Sequence, residues 1–463
     1  MATPPATSPG RLQSVLGLGF GLAGAVGGTI GAGILRTPGL VAAQLGDPWL
    51  IWAAWIVGGL YALLGAVCVA ELAAALPRAG GWWVYAQRAF GRRAGLITGW
   101  TDWLAHCIGL AWVATTAGDY GAALLPEGLL PAELGSKAIA LAVIGLFTLI
   151  QLQGVKAGST SQELLSLAKA GAFTLLVVAC FVLHPGPAEM PLAAVSGSAS
   201  SPPTWTALLL PAVVALQGVI TTYDGWASPV YFAEEFSNPA QDLPRSLIGG
   251  VLAVLLLYLL INAGLLRMLP LETLASSSLP AATAATVLIG SAGGLVISVV
   301  ALVALLGLVN TAIMAAPRIL YGLAEADLLP LPALAGVNNG GTPAAALRLT
   351  AASAAALVLV GSFERLLAMG AVLYVSLPLI GMASLLALRL QEPLLPRPFG
   401  CWGYPFTPLL IGTGSLAFVL AAVAADPLSS GAALALAVAG AALPASAPGP
   451  AAVSGHPPDS PGR

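Results

Sequence analysis

Residues 27–33 read Gly27-Gly28-Thr29-Ile30-Gly31-Ala32-Gly33, near the middle of an apolar run (14–43) that is too long for one simple membrane crossing. A second run, 206–235, carries Thr221-Thr222-Tyr223-Asp224-Gly225-Trp226 near its middle. Clustered glycines and a carboxylate inside an apolar helix both favour local unwinding. Unwinding frees backbone groups at mid-membrane. Free N–H groups at the positive end of a half-helix suit a carboxylate, and free C=O groups at the negative end of the other half suit an ammonium. Two facing breaks therefore suit a zwitterion, which makes Thr29, Ile30, Gly31, Ala32, Gly33, Thr221, Thr222 and Asp224 candidates for an α-amino-acid site. The competing reading is that the glycines only let helices pack closely.

The rest of the chain sets these breaks in a membrane. Of 463 residues, 58% are hydrophobic and 8% charged, against about 25% charged in a soluble domain. Mean hydropathy is +0.92. This excludes an ordinary soluble enzyme, a disordered protein and a disulfide scaffold. The predicted class is an all-α polytopic membrane protein. Spans are read at 14–43, 49–74, 93–119, 137–155, 163–183, 206–235, 246–269, 285–321, 343–360, 365–389, 406–425 and 430–445, about twelve helices at about 20 residues per crossing. With a cytoplasmic N-terminus, Arg11, Arg78, Arg88, Arg92, Arg93, Lys156, Arg245, Arg318, Arg348, Arg389, Arg397 and Arg463 fall on the inner side. Only Lys137, Arg267 and Arg365 fall on the outer side, as the positive-inside rule requires. Net charge is −2, so no nucleic-acid partner is expected. The four cysteines, Cys68, Cys107, Cys180 and Cys401, are scattered and read as buried small hydrophobes.

The breaks occupy matching places if spans 1–5 (14–183) and 6–10 (206–389) are two repeats. Five is odd, so the second repeat is inverted. Two additional helices follow at 406–445, and the tails, 1–13 and 446–463, read as disordered. Broken helices at corresponding positions of two halves point to a transporter site.

Four stretches in order carry a family resemblance: GGTIGAGILRTPG (27–39), ALLGAVCVAELAAALPRAGGWWVYAQRAFG (62–91), TTYDGWASPVYFAEEFSNPAQDLPRSL (221–247) and LLGLVNTAIMAAPRILYGLAEADLLP (305–330). Together they resemble the amino acid–polyamine–organocation superfamily. The resemblance implies the five-plus-five inverted-repeat fold with helices 1 and 6 broken, and amino-acid transport by alternating access. VKAGSTSQELLSLAKAGAFTLLVV (155–178) is similar to the fifth helix of the L-type amino-acid transporter branch, with a lysine at the place of Lys169. The resemblance implies that this ammonium stands where sodium-coupled relatives bind their ion, propping the first break against spans 5 and 8. The competing reading is a lysine snorkelling to the inner face, since it lies only six residues beyond Glu163.

Further candidates remain open. Ala32 replaces a small polar residue of the family turn, and Thr221 stands where the L-type branch commonly carries an aromatic lid. Asp224 either caps the outer half-helix of span 6 or faces the substrate ammonium. Asp102 and His106, four apart on span 3, either relay a proton or satisfy each other. Arg36 either lines the outer vestibule or pairs with an acid. Glu71, Glu234 and Glu235 are expected to pair with Arg78, Arg88 or Arg245 at the inner gate. Tyr374 is either pocket or core. The branch's animal members join a glycoprotein through a cysteine between helices 3 and 4. That loop here, 120–136, has no cysteine, so no disulfide-linked heavy subunit is expected. No phosphate loop, metal cluster or nucleophile constellation stands out, so no cofactor or enzymatic activity is expected. The expectation is a carrier of small to medium neutral L-amino acids, working by exchange or facilitated transport in a plasma membrane, bacterial by its minimal loops and tails. Its partners are the amino-acid substrate and membrane lipid. A proton-coupled carrier of cationic amino acids or polyamines, and a transport-inactive sensor or scaffold, are the alternatives.

Overall fold

A computed structural model describes residues 12–124, 126, 131–183, 205–361 and 363–442. The expected tails lie almost wholly outside the described residues. Each predicted span contains a helix. The first is α1 (Leu18–Thr29) and α2 (Gly33–Leu45), bent by 47° at the break. Then come α3 (Pro48–Ala75), a short α4 (Trp82–Phe90), α5 (Arg92–Ala122), α6 (Ala132–Leu152) and α7 (Val155–Val182). α8 (Trp205–Tyr223) continues into a 3-10 stretch, Ser228–Glu235, across the second break. α9 (Pro239–Met268), α10 (Leu271–Ser276), α11 (Pro280–Ile289), α12 (Ala292–Glu325), α13 (Ala344–Val360), α14 (Phe363–Gln391), α15 (Phe406–Ala425) and α16 (Pro427–Ala439) follow. Among the described residues there is no strand, only a parallel bridge between Leu16 and Phe236.

Seven single helices are long and apolar enough to cross a bilayer, and the bent pair makes an eighth. The other spans are shorter or more polar. α13 has 17 residues and α16 has 13, while α5 carries Asp102 and His106 in its middle.

Local chemistry places the ends. Asp47 caps α3 by accepting the Leu50 N–H at 3.0 Å, with Pro48 at the first turn. Asp426 does the same for α16 with Ser429, and Pro427 follows it, which is why α15 and α16 separate. Several predicted boundaries move, among them the start of span 7, read at 246 whereas α9 begins at Pro239. Span 8 was drawn from 285, but Gly290 at φ 69 ends a separate helix, α11, and α12 starts at Ala292. Span 5 was drawn from 163, but α7 starts at Val155. The polar first turns still helix because Gln162 and Ser166 find buried partners.

The packing is pairwise. α5 lies along α12, α3 along α9, α2 along α8 and α6 along α13. Small residues let these axes approach, such as Gly59 beside Tyr223 and Gly99 beside Leu323. Long aliphatic side chains such as Leu149, Leu167, Leu175 and Leu256 stay exposed on the outside, the surface a bilayer covers.

Candidate functional site at the paired helix breaks

The two breaks touch. A Cβ at Gly225, which holds φ +107, would come within 2.1 Å of the Gly28 carbonyl oxygen. A Cβ at Gly28 would come within 2.6 Å of the Gly225 carbonyl oxygen and 2.2 Å of Ser228 Oγ. Only glycine permits this approach, and at Gly225 only glycine takes the backbone angle without strain. These two glycines were absent from the predicted site residues. Above the crossing, Thr37 and Thr222 hydroxyls meet at 2.7 Å and tie the first turns of α2 to the last of α8. The Tyr258 hydroxyl on α9 reaches Thr29 O at 3.1 Å and Thr222 O at 3.2 Å. One hydroxyl thus spans both breaks, and nothing in its aliphatic sequence context announces it.

The N–H groups of Gly31, Ala32 and Gly33 have no protein acceptor among the described residues. They form the positive end of α2. Gly33, Thr221 and Asp224 are exposed at the breaks, while Thr29, Ile30, Gly31 and Thr222 are buried. The structure therefore brings the predicted residues of the two runs into one locus, with donors free on one side of it. Thr221, exposed at the break, donates its hydroxyl to Gln217 O at 2.8 Å and carries no aromatic ring of its own.

The acceptors are treated differently. Lys169 Nζ donates to Gly27 O at 2.5 Å and to Ile30 O at 3.0 Å, and the side chain is fully buried. The snorkelling reading fails because α7 starts at Val155, which puts Lys169 deep in the helix rather than near its end. Gly307 on α12 makes its room, since a Cβ there would meet Nζ at 2.7 Å. A polar chain fixes the surroundings. Gln151 donates to Asn310 at 2.8 Å, Asn310 to Gln162 at 2.9 Å, and Ser166 to Ala23 O at 2.8 Å. It links α6, α12, α7 and α1. Sequence reasoning missed Asn310 and Gln162, although single amides inside apolar runs are a usable signal.

Other candidates move. Asp224 does not cap a half-helix. The helix on its N-terminal side ends at Tyr223, and the 3-10 stretch after it is preceded by Ala227 without a side-chain cap. Asp102 and His106 do pair, Nδ1 to Oδ1 at 3.0 Å, and Tyr231 donates to the same oxygen at 3.1 Å. The Tyr374 ring lies 5.5 Å from the His106 ring, fitted against Gly109. Arg36 is exposed and lines a cavity of about 450 Å³ with Thr37, Leu40 and residues 275–278.

Two of the acids expected at the inner gate, Glu71 and Glu235, choose other partners, and Glu234 accepts the Ala79 N–H at 3.3 Å. Glu71 is held by Arg389 at 2.7 and 2.6 Å and by Arg397 at 3.0 Å, and it accepts the Cys401 N–H at 2.6 Å. Glu235 pairs with Arg318 inside the core. Arg78 and Arg88 pair instead with Glu325 at 3.0 Å and Glu392 at 2.7 Å. Arg245 is not the partner of any of these acids. The reason is spatial: the ends of α12 and α14 arrive closer to these carboxylates than their sequence neighbours do. Glu235 is also tied to the N-terminal stretch: Leu16 N–H donates to its carbonyl at 2.8 Å, and Phe20 meets Phe232 edge-on and Phe236 at a tilt.

The sequence model of the Amino acid permease family matches residues 12–443. The chain is 28% identical over 446 residues to the serine/threonine exchanger SteT of Bacillus subtilis, covering 94% of this chain and 97% of that one. It is 27% identical over 427 residues to the b(0,+)-type amino acid transporter 1 of Mus musculus, covering 90% and 84%. It is 28% identical over 404 residues to the large neutral amino acids transporter small subunit 2 of Homo sapiens, covering 86% and 74%. A match that runs through both broken helices and nearly the whole chain shows that this protein belongs to the amino acid permease family.

Proposed function

We propose that this protein is a secondary transporter that exchanges neutral, small to medium L-amino acids across a plasma membrane by alternating access. The single observation that carries the reading is the contact of two broken helices whose N–H groups at Gly31, Ala32 and Gly33 stay free while Lys169 occupies the carbonyls of Gly27 and Ile30. A substrate carboxylate suits those donors. Its ammonium suits the C-terminal end of α8 and the exposed Asp224. Thr221, without an aromatic lid, and Tyr374 border the side chain. Exchange and small neutral substrates draw support from the printed names of the relatives. Lys169 acts as a fixed cation that props the first break.

In this reading residues 14–183 and 206–389 are inverted repeats, which the pairing of α5 with α12 and α3 with α9 supports. Both termini are cytoplasmic, which the distribution of basic residues supports. The site is then sealed on the inner side at Glu235–Arg318 and accessible from the outer side at Gly33, Thr221 and Arg36. Loop 120–136 has no cysteine to join a heavy subunit.

The test is counterflow of labelled serine in proteoliposomes of defined internal amino acid, with alanine, leucine, arginine and putrescine as competitors. Uptake that needs internal neutral amino acid, and is competed by neutral ones alone, is the expected result. Asp224, exposed at the second break, favours the second reading, a carrier of cationic substrates. Competition by arginine or putrescine would establish that one. Substrate binding in detergent without counterflow would mark a sensor instead.

A further inference from the structure

Most polar groups in the spans serve packing or the breaks, but one cluster does not. Asp102 is fully buried in the middle of α5. Its Oδ1 receives both His106 Nδ1, at 3.0 Å, and the Tyr231 hydroxyl, at 3.1 Å. Its Oδ2 is buried and has no hydrogen-bond partner. His106 Nδ1 also lies 2.9 Å from the Asp102 carbonyl, so that nitrogen carries the hydrogen. Nε2 has no protein partner among the described residues. A carboxylate at mid-span is costly unless it has a task or full pairing, and here pairing is half complete.

Among the described residues no Lys or Arg acts on the pair. From the 3-10 stretch comes Tyr231, whose ring lies 4.8 Å from the His106 ring. From α14 comes Tyr374, and from the second break Asp224, within electrostatic range of His106. Cys107 is the neighbour on α5 itself. One imidazole thus sits against a buried carboxylate, with a second carboxylate, Asp224, near enough to favour its charged form. Two positions for an added proton are vacant, His106 Nε2 and Asp102 Oδ2.

We infer that Asp102 and His106 form a proton-binding site that governs the tie between α5 and the Ser228–Glu235 half of span 6, so that acid speeds exchange. The inference rests on the transport reading above. With the pair unprotonated, Asp102 is a full anion and holds the Tyr231 hydroxyl by a charge-assisted bond. A proton on the pair cancels that charge and weakens the bond. The half-helix bearing Tyr231 also carries Glu235, the sealing residue. Loosening Tyr231 therefore lowers the barrier to opening this side. The proton belongs to the pair as a unit rather than to either residue.

The experiment is exchange of a labelled neutral amino acid in proteoliposomes at equal pH on both sides, from about pH 8 to about pH 5.5, the window in which an imidazole titrates. No gradient exists and the substrate keeps its charge. The wild type should speed up about fivefold on acidification, the factor that loss of one net hydrogen bond produces. His106→Gln keeps a donor toward Asp102 but removes the imidazole and with it the coupled titration, and should lose the rise over this window. Tyr231→Phe lacks the tie and should be flat and fast at both ends. A flat profile in an active wild type overturns the proposal, as does an unchanged acid rise in His106→Gln or Tyr231→Phe. If His106→Gln is not recovered folded, Tyr231→Phe decides. No exchange by the wild type at any pH defeats the transport reading instead. The same pH series read on substrate binding by the three proteins then decides the proton site.

Discussion

At the scale of single residues, the site depends on which atoms are free and which are already bonded. Lys169 is the sharpest case. Lys169→Ala leaves two buried carbonyls, Gly27 and Ile30, without donors, at about 1–3 kcal/mol each. Alternating access turns on a small difference between states, so exchange should fall strongly while yield and thermal stability fall less. Sodium should not restore it, since an ion needs more placed oxygens than two carbonyls. Wild-type exchange in this variant would show that the ammonium is dispensable. The glycines can be ranked as well. A Cβ at Gly33 meets Thr222 at 3.4 Å, ordinary contact, whereas one at Gly225 meets backbone at 2.1 Å. Gly33→Ala should therefore fold and bind, and Gly33→Val should fold but lose affinity by covering the N–H groups. Gly225→Ala should fail in both binding and stability. Calorimetric titration with serine beside a melting curve separates these outcomes, and equal behaviour of Gly33→Ala and Gly225→Ala would refute the placement. Thr221→Phe supplies the missing ring. It should change the preference between alanine and leucine more than Tyr374→Phe does, and an unaltered substrate profile would remove Thr221 from the pocket.

At the scale of elements, each broken helix is held open by a neighbour. α7 and α12 hold the first through Lys169 and the Gln162–Asn310–Gln151 chain, and α9 holds both through Tyr258. Tyr258→Phe removes one hydroxyl shared by Thr29 and Thr222. It should lower stability by about 1 kcal/mol and slow exchange by a larger factor, because the two breaks lose their common tie. A Tyr258→Phe carrier with full exchange rate would make that tie structural only. The elements were largely legible beforehand, and α15 matches its expected bounds at 406–425. What misled was polarity near ends. The sequence places residues 156–162 between spans 4 and 5, yet α7 runs through them, since partners on α12 and α1 satisfy the buried Gln162 amide.

At the scale of the whole molecule, the proposed function turns on which side of the paired breaks is closed. In that reading the inner side is closed by Leu16, Phe20, Phe232 and Phe236, all buried, together with the buried Glu235–Arg318 pair. Removing one partner of such a pair strands the other charge, at about 3–5 kcal/mol. Glu235→Gln should therefore destabilise this closed form in particular. A cysteine placed at Thr221 should then react more slowly with an impermeant thiol reagent from the outside and faster from the inside. The four native cysteines are buried, so the background is low. Unchanged labelling from both sides would mean that the pair does not close the gate.

Membrane class, span positions and the two breaks were decided by the sequence itself, because apolar length, glycine clusters and stray mid-span charges act locally and are visible one segment at a time. Lys169 and the Asp102–His106 pair were conspicuous for the same reason: an ionisable group in an apolar run stands out without any knowledge of its surroundings. Partner choice was not visible. Glu71 bonds to Arg389, 318 residues away, rather than to Arg78 seven residues on. Gly28 and Gly225 matter because they meet, and Tyr258 because its ring reaches past α1 to both carbonyls. Each of these depends on which helix faces lie together at which depth. That arrangement is set by the packing of all the spans at once, and the tertiary structure alone decides it.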